Sequence, residues 1–296
     1  MRYGIIDIGS NSVRLLVSDD EKRVFKKINT TGLGRGLALS GRLGEENMFV
    51  TAKAAADFAD EAKAAGCEEI YAFATEAVRS AANRREFVTM LEKYGLTVDI
   101  VDGNDEATLG FSGAYTEGVC CVMDIGGAST ELAIGDEKGL IYAKSVPAGL
   151  VRIFDNCGED FKKIDEYIDR VLQGYGKVPS FDRLLSIGGT ASTFVAINEK
   201  MKIYNSQIVD NYRLTLETVE NLTDKIHAMT MEERLNIDGL EPKRRNLIVG
   251  GGRLLASIMK MLRQDCVIVR ESDNQEGYLK RILASKKNVD VNKDGR

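Results

Sequence analysis

Short apolar runs alternate along this chain with longer segments in which apolar residues recur at helical spacing. The short runs predict buried strands, and the periodic segments predict amphipathic helices. A three-strand meander is predicted over residues 3–31, with later strands at 70–74, 97–101, 119–123, 131–134, 140–146, 184–187 and 266–269. Helices are predicted at residues 45–65, 83–94, 103–116, 150–172, 214–229, 242–262 and 275–283, with another after residue 190. The tail from residue 285 is polar and predicted to fray.

The order of three strands, helix, strand, helix, strand and helix occurs twice in approximate form. A repeat of this length is a whole domain rather than a solenoid unit. The pattern therefore predicts an α/β fold of two duplicated domains with a cleft between them. We place the boundary near Gly118 and expect the last helix to return to the first domain. The predicted domains are residues 1–118 plus 279–296, and residues 119–278.

Both copies contain an aspartate-x-glycine turn between two strands. An aspartate at a strand end can hold a hydrated divalent cation, and glycines let backbone amides approach a phosphate closely. Two such turns facing each other would clamp a phosphate chain from both sides. Purely structural hairpins would not explain the hydroxyls in both turns. The residues concerned are Asp7, Gly9, Ser10, Asn11 and Ser12 in the first turn, Asp124, Gly126, Gly127, Ser129 and Thr130 in the second, and Gly188, Gly189 and Thr190 in a third.

Two charged residues have both a structural and a functional interpretation. Glu106 begins a helix after a strand, where it could complement the helix dipole or act as a general base. Arg79 follows a buried strand, where it could be solvated or could grip phosphate oxygens. The basic runs at residues 84–85 and 243–245 are typical of solvated faces, although either could guide a polyanion.

Composition narrows the class of protein. Hydrophobic residues make up 44% and charged residues 29% of the 296, which is ordinary for a globular chain. The net charge of −5 argues against a nucleic-acid partner. There is no membrane-length apolar run and no secretory signal pattern, so we expect a cytoplasmic protein without membrane contact. Five cysteines without a Cys-x-x-Cys pair and a single histidine predict free thiols and no multi-histidine zinc site.

Combined, these motifs resemble the exopolyphosphatase / guanosine pentaphosphate phosphohydrolase family over almost the whole chain. That family belongs to the superfamily of actin, sugar kinases and heat-shock ATPases. The resemblance implies duplicated actin-like (ribonuclease H-like) domains and a Mg²⁺-dependent hydrolase that removes the terminal phosphate from polyphosphate or guanosine pentaphosphate. A homodimer is also implied. The motifs that carry it span residues 7–12, 74–79 with Asn83, 103–107, 124–131, 147–149 and 187–190.

Matching motif positions suggests a role for each residue. Glu106 resembles the base that activates water, and Arg79 resembles the arginine that grips phosphate. Asp7, Asp124 and Glu131 resemble the acidic, metal-linked positions, and the hydroxyl, amide and glycine residues of the turns resemble the phosphate donors. The sequence departs from the family's usual residues at Thr108, Ala128, Asn246 and Gln275. Because the chain has one histidine, we expect the short, two-domain form without the histidine-aspartate domain of longer members.

Two other functions remain open at this point. A kinase of the same superfamily would use an aspartate base near an acceptor-sugar pocket and would bind adenine beside Gly188 and Gly189. A non-catalytic nucleotide sensor would use the two turns for binding alone, although an intact Glu106 argues against this.

Overall fold

The computed structural model describes the backbone of residues 1–294 and the side chains of residues 1–287. It contains two β-sheets flanked by helices. The first sheet contains β1 (Arg2–Ile8), β2 (Ser12–Asp19), β3 (Lys22–Thr30), β4 (Glu69–Ala74) and β5 (Val98–Ile100). The second sheet contains β6 (Cys120–Ile125), β7 (Thr130–Asp136), β8 (Gly139–Val146), β9 (Arg183–Ile187), β10 (Arg213–Thr215) and β11 (Cys266–Val269).

Twelve helices connect these strands within the described residues. Those in the first half of the chain are α1 (Leu37–Ser40), α2 (Glu45–Ala64), α3 (Glu76–Ser80), α4 (Arg84–Lys93) and α5 (Gly103–Ala114). The remainder are α6 (Leu150–Cys157), α7 (Phe161–Leu172), α8 (Gly189–Asn198), α9 (Ser206–Val209), α10 (Leu216–His227), α11 (Ile248–Met261) and α12 (Asn274–Asp294). No helix in this part of the chain is both long enough and apolar enough to span a bilayer.

The two sheets repeat one topology, which confirms the predicted duplicated α/β fold. In the first sheet the strand order is β3-β2-β1-β4-β5, with an antiparallel meander of β1, β2 and β3 and with β4 and β5 parallel to β1. In the second the order is β10-β11-β9-β6-β7-β8, so that β6, β7, β8, β9 and β11 repeat the first five strands. Strand β10 has no counterpart in the first sheet, and two of its three residues, Leu214 and Thr215, begin the segment predicted to be helical.

Each half of the chain contributes one helix that packs on the other half. Helix α5 follows the first sheet in sequence but packs on the second, where Ala107 and Phe111 join a core with Cys120 and Val122. Helix α12 follows the second sheet but packs on α5 and β1, and the ring of Tyr278 stacks on Phe73 at 4.7 Å. We call the first sheet with α1–α4 and α12 the first lobe, and the second sheet with α5–α11 the second lobe. The predicted domain division itself stays a prediction.

Several predicted helices have different bounds in the structure. Residues 150–172 form two helices rather than one, because the chain breaks at Gly158, whose φ of 60° is not helical. The segment that follows Pro242 forms a short 3₁₀ turn before α11 begins at Ile248. Helix α12 continues to Asp294, past the predicted end at residue 283, and the last two residues of the predicted frayed tail lie outside the described residues.

Candidate active site

The two aspartate-glycine turns come from different lobes and touch each other. A Cβ atom added to Gly127 would lie 2.8 Å from the Cβ of Ser10 and 3.1 Å from the amide nitrogen of Asn11. Only a glycine lets the second turn approach the first this closely. The first turn is supported from behind, because the amide of Gly34 donates a hydrogen bond to the carbonyl of Ser10 at 2.7 Å.

A cavity of about 40 Å³ lies between the turns and has room for a few water molecules. Both lobes contribute to its wall, together with the start of α5. Of the residues singled out in the sequence, twelve line it: Asp7, Gly9, Ser10, Asn11, Ser12, Glu106, Asp124, Gly126, Gly127, Ser129, Gly189 and Thr190. The structure therefore brings the two aspartates and Glu106 to one cavity.

Four of the singled-out residues do not line this cavity. The hydroxyl of Thr130 donates to the carbonyl of Ala148, so it is not free to donate elsewhere. Gly188 lies behind Asp124, since a Cβ added to it would be 2.5 Å from Asp124 Oδ1. Glu131 and Arg79 lie behind the wall, where Glu131 accepts a hydrogen bond from Ser145 and Arg79 pairs with Glu106.

The environment of Arg79 differs from both interpretations of the sequence. Its Nη1 donates to the carbonyl of Val101 at 2.5 Å and to Glu106 Oε2 at 3.3 Å. Its Nη2 donates to Glu76 Oε2 at 2.6 Å. Arg79 is thus neither solvated nor on the cavity wall; it lies between two carboxylates. Its role as a phosphate ligand stays a prediction.

Four buried carboxyl groups lie in and behind the wall. Burial raises the pKa of Asp7 to about 7, although Arg14 opposes the shift, and burial with the nearby Asp124 raises the pKa of Glu131 to about 8. Burial also raises the pKa of Asp124. The pKa of Glu106 lies well above its ordinary value because of burial and the neighbouring charge of Glu131. The site thus concentrates negative charge that is costly at neutral pH.

Three oxygens in this cluster have no hydrogen-bond partner: Asp7 Oδ1, Asp124 Oδ1 and Glu131 Oε2. Unpartnered buried carboxylate oxygens are suitable ligands for a cation. Across the described residues, no three acidic, histidine or cysteine side chains converge closely enough to hold a metal by themselves. This donor set fits Mg²⁺, which usually binds through one or two carboxylates and takes its other ligands from water and substrate phosphates.

Six wall residues are not among those singled out in the sequence, and three of these have charged or amide side chains, namely Arg14, Asn274 and Arg244. Arg14 Nη1 lies 3.0 Å from Asp273 Oδ2, and Asn274 Nδ2 donates to Asp124 Oδ2 at 2.8 Å. The expectation that residues 243–245 form a solvated face is wrong for Arg244, which is only 6% exposed and donates to the carbonyl of Gly189 at 2.9 Å. Arg14 could have been found by aligning the two hairpins, since it stands where Glu131 stands in the second.

A larger chamber of about 590 Å³ adjoins the cavity and shares Arg14, Gly189 and Arg244 with it. It lies beside the Gly188-Gly189 turn, between β3 and the second lobe. Its wall combines apolar surface with six cationic side chains and three acidic ones, those of Glu241, Glu271 and Asp273. The cationic residues are Arg14, Lys26, Lys27, Lys202, Arg244 and Arg270, and the apolar or aromatic ones are Ile28, Ala196, Met201, Tyr204, Leu240 and Pro242.

The chain is similar in sequence and in fold to known proteins. The chain is 29% identical to a bifunctional 3-dehydroquinate synthase/phosphatase from Fusobacterium nucleatum over 93% of its own length, but it spans only 45% of that protein. It is 28% identical to a guanosine-5'-triphosphate,3'-diphosphate pyrophosphatase from Pseudoalteromonas translucida, covering 98% of this chain and 61% of that one. An exopolyphosphatase structure from Cytophaga hutchinsonii superimposes with a TM-score of 0.83 at 26% identity, covering 96% of this chain and 98% of the other.

A family model describing the Ppx/GppA phosphatase family matches residues 16–286, which include most of both sheets and all of α1–α11. Since that match covers nearly the whole described chain, the protein belongs to the Ppx/GppA phosphatase family.

Proposed function

We propose that this protein hydrolyses the terminal phosphoanhydride bond of inorganic polyphosphate or of guanosine pentaphosphate. The observation that carries this proposal is the convergence of Asp7, Asp124 and Glu106 on one cavity between the two aspartate-glycine turns of separate lobes. Family membership supports the reaction class, and the substrates named for similar proteins support these two candidates.

In the proposed reaction, Glu106 accepts a proton from a water molecule as the water oxygen attacks the terminal phosphorus. The bond from that phosphorus to the bridging oxygen breaks, which releases orthophosphate and a chain shorter by one phosphate. The serine and asparagine groups of the turns and the amide of Gly127 would hold the phosphate oxygens in place, whereas the amides of Gly9 and Gly126 close their own turns by donating to the carbonyls of Ser12 and Ser129. Phosphoryl transfer requires chiefly such positioning and charge stabilisation.

The cofactor we propose is Mg²⁺, held through Asp7 and Asp124, with Glu131 behind them. Phosphatases of this family generally depend on a divalent metal ion. When bound, such an ion would neutralise charge on the substrate phosphates. It would also favour the ionised forms of the buried carboxyl groups, whose pKa values are raised in the protein alone.

We further propose that the chamber beside the Gly188-Gly189 turn takes the part of the substrate beyond the terminal phosphate. Its cationic side chains outnumber its acidic ones by six to three, which suits a phosphate tail, and its apolar wall with Tyr204 suits a nucleoside. The same chamber lies where a kinase would bind adenine, so the substrate must be decided by assay. The cytoplasmic location and the homodimer stay predictions.

The direct test measures orthophosphate release from long-chain polyphosphate, guanosine pentaphosphate and ATP in parallel, each with Mg²⁺ and without an acceptor. We expect release from polyphosphate, from guanosine pentaphosphate or from both, at a kcat/KM at least about tenfold above that for ATP. Release that requires an added sugar acceptor would indicate a kinase. Binding of all three without release would indicate a nucleotide sensor.

A further inference from the structure

A chain of four charged side chains leads from the second lobe to Glu106. Arg152, on α6, donates from Nη2 to Glu76 Oε1 at 3.0 Å. Glu76, at the start of α3, accepts from Arg79 Nη2 through its other oxygen at 2.6 Å. Arg79 Nη1 in turn lies 3.3 Å from Glu106 Oε2. The two carboxylates and two guanidinium groups therefore alternate in sign along the chain.

Both guanidinium groups are also fixed to the backbone. Arg152 Nε donates to the carbonyl of Ala128, in the second turn, at 2.7 Å. Arg79 Nη1 donates to the carbonyl of Val101, just before α5. The side chains of Arg152, Glu76 and Arg79 are 18%, 17% and 21% exposed, so solvent screens these contacts only partly. Ion pairs with this degree of burial and double anchoring have a defined geometry.

Arg79 is the single hydrogen-bond partner of the Glu106 carboxylate among the side chains that the structure describes. The orientation of Glu106 therefore depends on where the Arg79 guanidinium is held. That guanidinium has Val101 on one side and Glu76 on the other, and Glu76 is itself held by Arg152. A change in the charge or position of Glu76 would therefore affect Glu106 through the Arg79 guanidinium.

We propose that Glu76 and Arg152 are positioning residues for the general base. The inference rests on the proposed hydrolase function of Glu106. Neither residue lines the cavity, so neither touches the substrate. Because Arg152 belongs to the second lobe and Glu76 to the first, the contact between them forms only when the lobes are together. Apposition of the lobes therefore orients Glu106 at the same time as it brings the two turns onto the phosphate chain.

The experiment measures kcat and KM for phosphate release by Glu76→Gln, Arg152→Met, Arg152→Lys and the double variant Glu76→Gln/Arg152→Met. We expect Glu76→Gln to lower kcat by roughly 10- to 100-fold, since a small misplacement of a catalytic group has effects of this size. KM should change less than about threefold, because substrate contacts remain. Arg152→Met should lower kcat by about tenfold, and Arg152→Lys should recover part of the loss.

The double variant provides the sharpest outcome. If Arg152 acts on kcat through Glu76 and not through its bond to the carbonyl of Ala128, its replacement has no further effect on kcat once Glu76 is glutamine. A matched control is Arg253→Met, which breaks the remote ion pair of Arg253 with Asp165 in the same lobe and should leave kcat unchanged. Thermal unfolding verifies that each variant is folded. Losses that multiply in the double variant, or that fall on KM alone, would overturn the proposal.

An inactive wild-type protein would overturn the proposed function rather than this geometry. In that case a crystal structure of Glu76→Gln decides the question. We expect the Arg79 guanidinium and the Glu106 carboxylate to move from the positions described above. Retention of both positions would mean that Glu76 does not hold Glu106.

Discussion

Asp7 and Asp124 occupy equivalent positions in the two lobes, but the residues opposite them in the β-ladder carry opposite charges. Arg14 faces Asp7 across the first hairpin, and Glu131 faces Asp124 across the second. Asp7 therefore has a cation within 3.9 Å, whereas Asp124 has a second carboxylate beside it. Negative charge is concentrated toward the second lobe, where Glu106 also contributes.

At the scale of single residues, the contact between the two turns predicts the effect of Gly127→Ala. The new methyl group would meet Ser10 at 2.8 Å, so the turns would be held apart by a few tenths of an ångström or more. We expect kcat to fall by about tenfold or more, with little change in the unfolding temperature, because the collision lies between lobes rather than inside one core.

Gly44→Ala serves as the control for that variant, because the nearest atom to its new Cβ is at 3.7 Å. Its kcat should match that of the wild type. Wild-type kcat in Gly127→Ala would mean that close apposition of the turns is not required for turnover.

At the scale of elements, hydrophobic periodicity predicts the strands well. The sheet meanders and the parallel strands after them follow from short apolar runs, and their repetition predicts the duplicated fold. The packing of α5 on the second sheet could not be predicted in this way, since the apolar face of a helix does not indicate which sheet it will pack against. The burial of Arg244 could not be predicted either, because its sequence neighbours Lys243 and Arg245 make the segment look like a solvated run.

Most of the wall residues could be named from the two turns, because a repeated Asp-x-Gly turn flanked by hydroxyl side chains is typical of phosphate binding. Arg79 was named from the sequence, but its contacts depend on Glu76 and Val101. The Glu76 contact is an i,i+3 pair within α3, which sequence spacing could have indicated, whereas the contact with Val101 depends on tertiary packing that sequence spacing does not reveal. Arg14 reaches the wall because the register of β1 and β2 places it opposite Asp7, and Asn274 reaches it from the start of α12. Neither residue lies within a recognisable motif.

The crossing of α5 and α12 gives a prediction about stability. A Cβ added to Gly113 would lie 1.9 Å from the carbonyl oxygen of Asp273, and one added to Gly277 would lie 1.9 Å from that of Leu109. Since backbone atoms cannot move aside cheaply, Gly113→Ala and Gly277→Ala should each lower the free energy of unfolding by about 1–3 kcal/mol. Chemical denaturation measures this.

The exposed helix position Ser285→Ala is the comparison for these two variants and should change stability by less than about 0.5 kcal/mol. If both glycine variants were as stable as the wild type, the close approach of these helices would be disproved.

At the scale of the whole molecule, the buried carboxyl groups predict how stability depends on pH. The pKa values of Asp7 and Glu131 are about 7 and 8 in the folded protein, against ordinary values of 3.8 and 4.5. Between about pH 4 and pH 8 the folded state retains protons that the unfolded state releases, so stability falls as pH rises through this window. Without Mg²⁺, the unfolding temperature should fall by roughly 5 °C or more from pH 5 to pH 8.

Glu131→Gln should make this decline shallower, because one of the carboxyl groups with a raised pKa no longer titrates. Millimolar Mg²⁺ should raise the unfolding temperature at pH 8 more than at pH 5, since it binds the ionised carboxylates. A wild-type unfolding temperature that rises from pH 5 to pH 8 would contradict the charge cluster described here.

The central claim is that Glu106 activates the water that attacks a phosphate chain held by both lobes. The most direct measurement compares phosphate release and substrate affinity in Glu106→Gln and in Asp105→Asn, its exposed neighbour on α5. We predict that Glu106→Gln lowers kcat by about 10²- to 10⁴-fold while the dissociation constant stays within about threefold, and that Asp105→Asn retains wild-type turnover. Wild-type turnover in Glu106→Gln would contradict the claim.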